Sequence, residues 1–225
     1  MIFSGHQPNF LPYMGVFYKM YRSDVFVLDD DVQYSNKGLH NANYLKVIGQ
    51  KYKMTVPVSY NHGDLINQVL ISYAENWMEK LLKTIKNSYG KAPHFEEGYD
   101  LIVRHLREEY EKLVDLNTGL IYEIAERFGL KTQFFVASQE LQNDLSNNDR
   151  NIRQCLDLGA DVYYSGVGGK EYNDEEAYNR NGITVVYSDY KPLKYRQGRT
   201  EFIENLSVLD YIFYMGFEIP EEWRL

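Results

Sequence analysis

Ile2-Phe3-Ser4-Gly5-His6-Gln7-Pro8-Asn9-Phe10-Leu11-Pro12-Tyr13-Met14-Gly15-Val16-Phe17-Tyr18-Lys19 reads as a short apolar strand, a polar turn punctuated by proline, and the start of a helix. Pro8 and Pro12 lack an N–H and disfavour helix in the residue before each, so the turn between them is stiff. Pro12 suits the first helical position, where a missing N–H costs nothing, and the helix is expected at or just after it. The turn therefore sets His6, Gln7 and Asn9 at a strand's carboxyl end, beside a helix N-terminus. Ligands bind at that place in open α/β sheets. The same side chains also serve as caps in a stiff loop, and this stretch alone leaves both readings open.

Working outward, Asp24-Val25-Phe26-Val27-Leu28-Asp29-Asp30 is an apolar run bounded by acids, the pattern of a buried strand. A polar segment covers 31–43. Residues 44–48 and 51–58 pair as a hairpin around Gly49-Gln50, and Val69-Leu70-Ile71 makes one more short strand. From Trp77 the apolar spacing changes to three and four residues, which predicts helices over 75–89, 97–113 and 117–129. Gln133-Phe134-Phe135-Val136-Ala137 is again a strand, followed by a helix at about 148–158. Val162-Tyr163-Tyr164-Ser165, a helix over about 174–181 and Ile183-Thr184-Val185-Val186-Tyr187 complete a β-α-β-α-β series. Such alternation implies a wound, mostly parallel α/β sheet of Rossmann-like kind, with a β-hairpin and a helical insertion. The expected organisation is one α/β domain over residues 1–225, with a helical subdomain at about 75–129 between the two halves of the sheet.

The 225 residues suffice for a full core. With 44% apolar and 25% charged residues the composition is globular, and no run of eighteen apolar residues is present to span a membrane. Pro8 and Pro12 interrupt any signal-peptide pattern. The single cysteine, Cys155, excludes an internal disulfide framework and fits a reducing cytoplasm. Its apolar neighbours at helical spacing make it a buried thiol rather than a nucleophile. A net charge of −8 argues against broad binding to DNA, RNA or anionic lipid. Twenty-one tyrosines supply rings that stack on sugars or bases; most are expected to serve core and surface packing.

Two constellations carry candidate chemistry. Asp29-Asp30-Asp31-Val32-Gln33-Tyr34 ends the second strand. Consecutive residues on an extended chain point to opposite sides, so at most two of the three acids converge on a metal. A turn capped by Asp explains the run more simply. Asp30 and Gln33 are held as substrate hydrogen-bonding residues, with no metal site assigned. The other constellation is Ser165-Gly166-Val167-Gly168-Gly169-Lys170-Glu171-Tyr172. A glycine-rich turn after a strand brings backbone N–H groups to an anion, and Lys170 adds a charge. The spacing is neither that of a P-loop nor that of the dinucleotide fingerprint. Lys37 to Asn43 is dense in donors, with Asn41 and Asn43 suited to clasp a ligand. Tyr195-Arg196-Gln197-Gly198-Arg199 offers a hydroxyl, an amide and guanidinium groups. His62, His94 and His105 lack metal-ligand spacing and read as surface or capping residues.

With these residues quoted, the chain resembles the WbqC-like family. The matching stretches are His6-Gln7-Pro8-Asn9-Phe10-Leu11-Pro12-Tyr13-Met14-Gly15, Asp30-Asp31-Val32-Gln33-Tyr34, Lys91-Ala92-Pro93, Gly166-Val167-Gly168-Gly169-Lys170-Glu171 and Phe202-Ile203-Glu204-Asn205-Leu206-Ser207-Val208-Leu209-Asp210. They run in order along nearly the whole chain, and the first and fourth are specific. The resemblance implies a role in bacterial O-antigen and other surface polysaccharides, with transfer of glycine or a similar aminoacyl group to an amino sugar. One departure stands out: Asn41-Ala42-Asn43 occupies the place of an Asn-Arg-Asn pattern. Ala has no counterpart to the bidentate guanidinium fork, so a carboxylate or phosphate contact there is lost.

The expected function is thus a cytoplasmic aminoacyl (glycine) transferase acting on a nucleotide-linked amino sugar. Its only implied cofactor is an activated aminoacyl donor, and its partners are that donor and the small-molecule acceptor. His6 is the candidate base because its ordinary pKa lies nearest neutrality. Gln7, Asn9 and Tyr13 would orient substrate, with Asp30, Gln33, Asn41, Asn43, Tyr195 and Gln197 as further contacts. Ser165, the amides of Gly168 and Gly169, and Lys170 would hold a phosphate or oxyanion. Two other readings stay open. One is a nucleotidyl or adenylyl transferase, which would release pyrophosphate, although the second His of an H-x-G-H pattern is missing. The other is a non-catalytic sugar-nucleotide binding factor in a glycan assembly complex.

Overall fold

The computed structural model describes residues 1–224. Along the chain, β1 (Ile2–His6), α1 (Met14–Tyr21) and β2 (Val25–Leu28) are followed by β3 (Ala42–Val47), β4 (Gln50–Thr55), β5 (Val58–Ser59) and β6 (Leu70–Ile71). Three helices come next: α2 (Trp77–Tyr89), α3 (Phe95–Arg107) and α4 (Leu113–Arg127). The chain then forms β7 (Gln133–Val136), α5 (Ala137–Glu140), α6 (Asn147–Leu158), β8 (Val162–Ser165), α7 (Glu175–Arg180), β9 (Thr184–Tyr187) and α8 (Val208–Met215). Contacts group these elements into two units. The first holds Met1–Gln7, Gly15–Asp31 and Leu130–Lys191; the second holds Pro8–Met14, Val32–Gly129 and the chain from Pro192 onward.

The first unit is a five-stranded sheet of order β7-β2-β1-β8-β9, parallel at every pairing. Its central strands are short apolar runs, as sheets buried on both faces require. All four residues of β2 are buried. Phe3, Val27, Ile152, Cys155, Tyr163 and Tyr178 share one apolar core. In it the Tyr163 and Tyr178 rings stack with centroids 5.2 Å apart and planes within 4°. Cys155 is a fully buried free thiol, and burial pushes its pKa up to about 12, so it packs rather than reacts. Helix α6 ends at Gly159, whose φ of +69° is the left-handed conformation that glycine adopts without a Cβ penalty.

The second unit pairs β3 with β4 across Ile48-Gly49, both at positive φ (50° and 76°), the conformation of a type I′ hairpin turn. β5 and β6 form a second small antiparallel pair, and α2, α3, α4 and α8 supply the helical packing. Helices α3 and α8 meet closely at Gly98: a Cβ there would lie 2.8 Å from Cε1 of Phe213, a fully buried ring. Tyr89 and Phe95 hold that ring from two other directions, at centroid distances of 4.7 and 5.6 Å. Gly98→Ala is therefore an overpacking change. It is expected to cost about 1–3 kcal/mol, read as a lower midpoint with unchanged slope in urea unfolding.

Sequence periodicity places most elements correctly, with three corrections. Helix α1 begins at Met14, two residues after Pro12. Leu11 adopts a positive φ of 45°, Pro12 O accepts from Val208 N, and Tyr13 bridges Ser207, so Pro12 belongs to the turn. The second predicted helix stops at Arg107 rather than at 113, and the third starts at Leu113 rather than at 117. Glu109 has a φ of +52°, and Glu111 and Leu113 hydrogen-bond through their backbones to Ile71 and Val69 instead of continuing a helix. The glycine-rich turn is a 3-10 helix over Val167–Glu171. Helix α8 escapes the periodic pattern, because six of its eight residues, Asp210 among them, are buried and a run buried on every side carries no apolar period.

Candidate active site

In the first unit β1 leads through α1 to β2 on one side, and β8 leads through α7 to β9 on the other. The strand order thus reverses between β1 and β8, and the crevice outside their carboxyl ends is where such sheets bind ligands. His6 closes β1 and Ser165 closes β8. Ile2 and Phe3 lie opposite Val162 and Tyr163, and the same register carried forward sets His6 level with Gly166. Ser4 Oγ donates to Tyr164 O at 2.7 Å and holds the two strands together near these ends.

His6 Nδ1 lies 2.8 Å from Gln7 O. A carbonyl oxygen only accepts, so Nδ1 carries the proton in this contact, and in the neutral ring the lone pair is on Nε2. That tautomer is the one a general base requires. Gln7 itself is exposed at the edge. Lys19, half-buried on α1, donates from Nζ to Gly5 O at 2.7 Å, next to His6 in sequence. Loss of hydration brings the Lys19 ammonium down to about 8, opposed by the Asp29 carboxylate. Sequence reading passed over Lys19; the available signal is a single cation within an otherwise apolar helix.

The three acids after β2 divide as strand geometry dictates. Asp29 and Asp31 converge on the buried Arg150 of α6, with Asp29 Oδ1 at 3.2 Å from Nη2 and Asp31 also paired to it. Gln154 Nε2 adds a donor to Asp29 at 2.9 Å. Burial still lifts the Asp29 carboxyl above its ordinary range against the opposing pull of Gln154 and Arg150. Asp30 points elsewhere and accepts from Ser138 N at 2.9 Å and Ser138 Oγ at 2.6 Å. It is buried in tying β2 to the start of α5. No group of three or more metal-ligating side chains occurs among the described residues. Asp29 Oδ2 lies 2.9 Å from where a Cβ on Gly5 would stand, so the Arg150 network packs directly against the backbone that carries His6.

In the turn after β8, Gly169 N–H is given to Gly166 O at 2.9 Å, so the 3-10 geometry spends one amide that the sequence reading assigned to an anion. Gly169 is instead required by close approach, since a Cβ would fall 2.1 Å from Ser165 Oγ. Gly168 and Lys170 are exposed, and Lys170 Nζ sits 5.3 Å over the Tyr187 ring. Ser165 is buried and accepts from Asn173 Nδ2 at 3.0 Å. The structure thus brings His6, Ser165, Gly168 and Lys170 to one edge of one sheet.

The remaining sequence candidates belong to the second unit. Asn43 Nδ2 donates to Phe10 O and Leu11 O (3.1 and 2.7 Å), fixing the turn that Pro8 and Pro12 stiffen. Ala42 beside it is buried at the start of β3. Asn117 Nδ2 reaches Pro8 O and His40 O, both at 2.8 Å. Asn9 Oδ1 is buried and has no hydrogen-bond partner among the described residues. Tyr13 is half-buried, and burial raises its hydroxyl pKa. Asn41 accepts from Tyr34 OH at 3.1 Å, and exposed Gln33 lines a surface cavity. Tyr195 OH donates to Asp210 at 2.8 Å, while the Gln197 amide exchanges two hydrogen bonds with the Ile203 backbone. Asn43 and Gln197 are nearly inaccessible, so their amides shape the fold. His105 is a bridge rather than a surface residue, with Nε2 3.0 Å from Glu123 and Nδ1 3.1 Å from Tyr110 OH.

His40 is 2% exposed, and burial brings its pKa down to about 4. The unfolded chain binds that proton at the ordinary value near 6.5, whereas the folded chain resists it. Its contribution is therefore full above pH 6.5 and declines as pH falls toward 4, a loss of roughly 3 kcal/mol. Denaturation of the parent and of His40→Gln across this range should show the difference: the parent loses more stability than the variant over the same interval.

The chain belongs to the WbqC-like protein family, whose model matches residues 7–222. It is also similar to the uncharacterized protein Rv1507c of Mycobacterium tuberculosis. The two are 28% identical over 222 residues, covering 97% of this chain and 95% of that protein. No solved structure matches the chain. No helix among the described residues is long and apolar enough to cross a membrane.

Proposed function

We propose that this protein is an aminoacyl transferase of bacterial surface-polysaccharide biosynthesis, passing glycine or a similar group to the amino group of a nucleotide-linked amino sugar in the cytoplasm. The observation that carries the reading is the His6 tautomer at the switch point of the sheet, with the lone pair on Nε2. The acceptor's neutral amine attacks the carbonyl carbon of an activated aminoacyl donor. An N–C bond forms, the bond to the leaving group breaks, and the leaving group takes the electron pair. His6 Nε2 takes the proton released from the amine. Lys170 and the Gly168 backbone, one strand over, supply positive potential for the phosphates of the nucleotide. Family membership supports the glycan context.

The test is direct. Incubation with a glycyl thioester and a UDP-linked amino sugar should give a product heavier by one glycyl residue in mass spectrometry. Absence of that product with thioester, adenylate and tRNA-linked glycine donors alike would remove the reading. The strand order also favours a second one. A doubly wound sheet with phosphate-binding residues at its switch point suits nucleotidyl transfer. Release of pyrophosphate from a nucleoside triphosphate, without glycyl transfer, would select it.

A further inference from the structure

The second unit contains a cavity of about 500 Å³ between two loops. One loop brings Gln33, Tyr34, Asn36 and Lys37 to it; the other brings Tyr60, Asn61 and His62. The walls are held in place. Tyr34 N donates to Asp64 O at 2.9 Å and Ile66 N to Val32 O at 3.0 Å, so the two loops are joined by backbone bonds. Asp64 Oδ2 accepts from Asn61 N at 2.6 Å, which closes the second loop on itself. Gly38 N donates to Ser35 O, and a Cβ on Gly38 would lie 2.8 Å from His40 Nε2, so the first loop is folded tightly onto the buried His40.

Two features of the lining define what it takes. Tyr34 and Tyr60 lie with ring centroids 4.6 Å apart, and Tyr60 is exposed, offering an aromatic surface. Such a surface packs against the C–H face of a sugar ring while amides and hydroxyls meet its hydroxyl groups. The lining also carries Lys37 and His62 and no acidic side chain, in a chain of net charge −8. Asp64, which follows the second loop in sequence, has its carboxylate engaged by Asn61. A neutral sugar would leave the Lys37 ammonium unused, and a bare anion would leave the aromatic surface unused.

We propose that this cavity is a binding site for a pyranose sugar that bears a carboxylate or a phosphate, with the ring against Tyr60 and the anion at Lys37. The inference does not depend on the chemistry assigned to His6, and its failure would leave that assignment standing. The experiment is an amide NMR titration of the full chain with four probes: glucuronate, glucose 6-phosphate, glucose and inorganic phosphate. Glucuronate, glucose 6-phosphate or both should shift the amides of 33–37 and 60–63, and which of them binds identifies the anion. Glucose and phosphate should bind at least about tenfold more weakly. Tyr60→Ala and Lys37→Ala, both changes of exposed side chains, should each weaken the binding by about tenfold or more. Equal binding of glucose, unchanged binding by Lys37→Ala, or no shifts in the cavity with either anionic sugar overturns the proposal.

Discussion

Replacing His6 by Ala is expected to lower kcat for aminoacyl transfer by at least about a hundredfold, the usual contribution of a positioned general base. His6 stands at the end of β1 with Nδ1 on Gln7 O, so the substitution removes a proton acceptor and one local hydrogen bond. His6→Asn separates the two effects. An Asn amide can restore a donor to Gln7 O but cannot take a proton at neutral pH, so it should be as slow as Ala. A positioning role alone predicts that Asn recovers most of the rate. Near-parental turnover by His6→Ala would remove the residue from the role. Lys170→Ala should instead raise KM for the nucleotide-linked acceptor with little change in kcat, because it holds a phosphate present in ground and transition states alike.

The largest expected loss of stability comes from Arg150→Met. Arg150 is buried, and its guanidinium is shared by Asp29 and Asp31, whose side chains are also largely shielded from water. Removing the cation leaves two shielded carboxylates close together, a change that costs about 3–5 kcal/mol. In a chain of this length that corresponds to a fall in Tm of roughly ten degrees. The pH dependence gives the sign. Without Arg150 the folded-state pKa of Asp29 rises further, from a value that burial already lifts. The deficit is then fully present above that raised value and shrinks as pH falls and the Asp29 carboxyl takes up a proton. Thermal melts of parent and variant should converge toward acid pH. Arg150→Met combined with Asp29→Asn and Asp31→Asn should recover much of the loss, since the unpaired charges go with the cation. A constant gap at every pH would mean that Arg150 acts through packing alone.

The parallel sheet was legible because its strands are short apolar runs ended by Gly, Asp or Ser, and because helices with three- and four-residue spacing separate them. Val25–Leu28 and Val162–Ser165 stand where the pattern places them. The hairpin was legible from Gly49, whose backbone adopts the left-handed conformation. The strand order was not legible, since alternation specifies parallel pairing without saying where the order reverses. That order is what puts His6 beside the Gly166 turn. Lys19 and Arg150 escaped notice for a related reason: Lys19 is one cation on an apolar helix and Arg150 one of two arginines on a polar helix, and only the fold shows that Lys19 reaches Gly5 O and Arg150 reaches two acids. Asp30, Asn43 and Gln197 illustrate the converse. Their polarity attracts a functional reading, yet each is buried with its polar atoms engaged by neighbouring backbone or side-chain groups.

The central claim is that the crevice between the ends of β1 and β8 binds a nucleotide-linked amino sugar. Amide hydrogen exchange of the full chain, with and without a saturating UDP-linked amino sugar, tests it most directly. The account predicts slower exchange in two segments together, residues 5–7 and 166–170, with the effect at 166–170 lost in Lys170→Ala. Protection confined to other segments, or none in either, would contradict it.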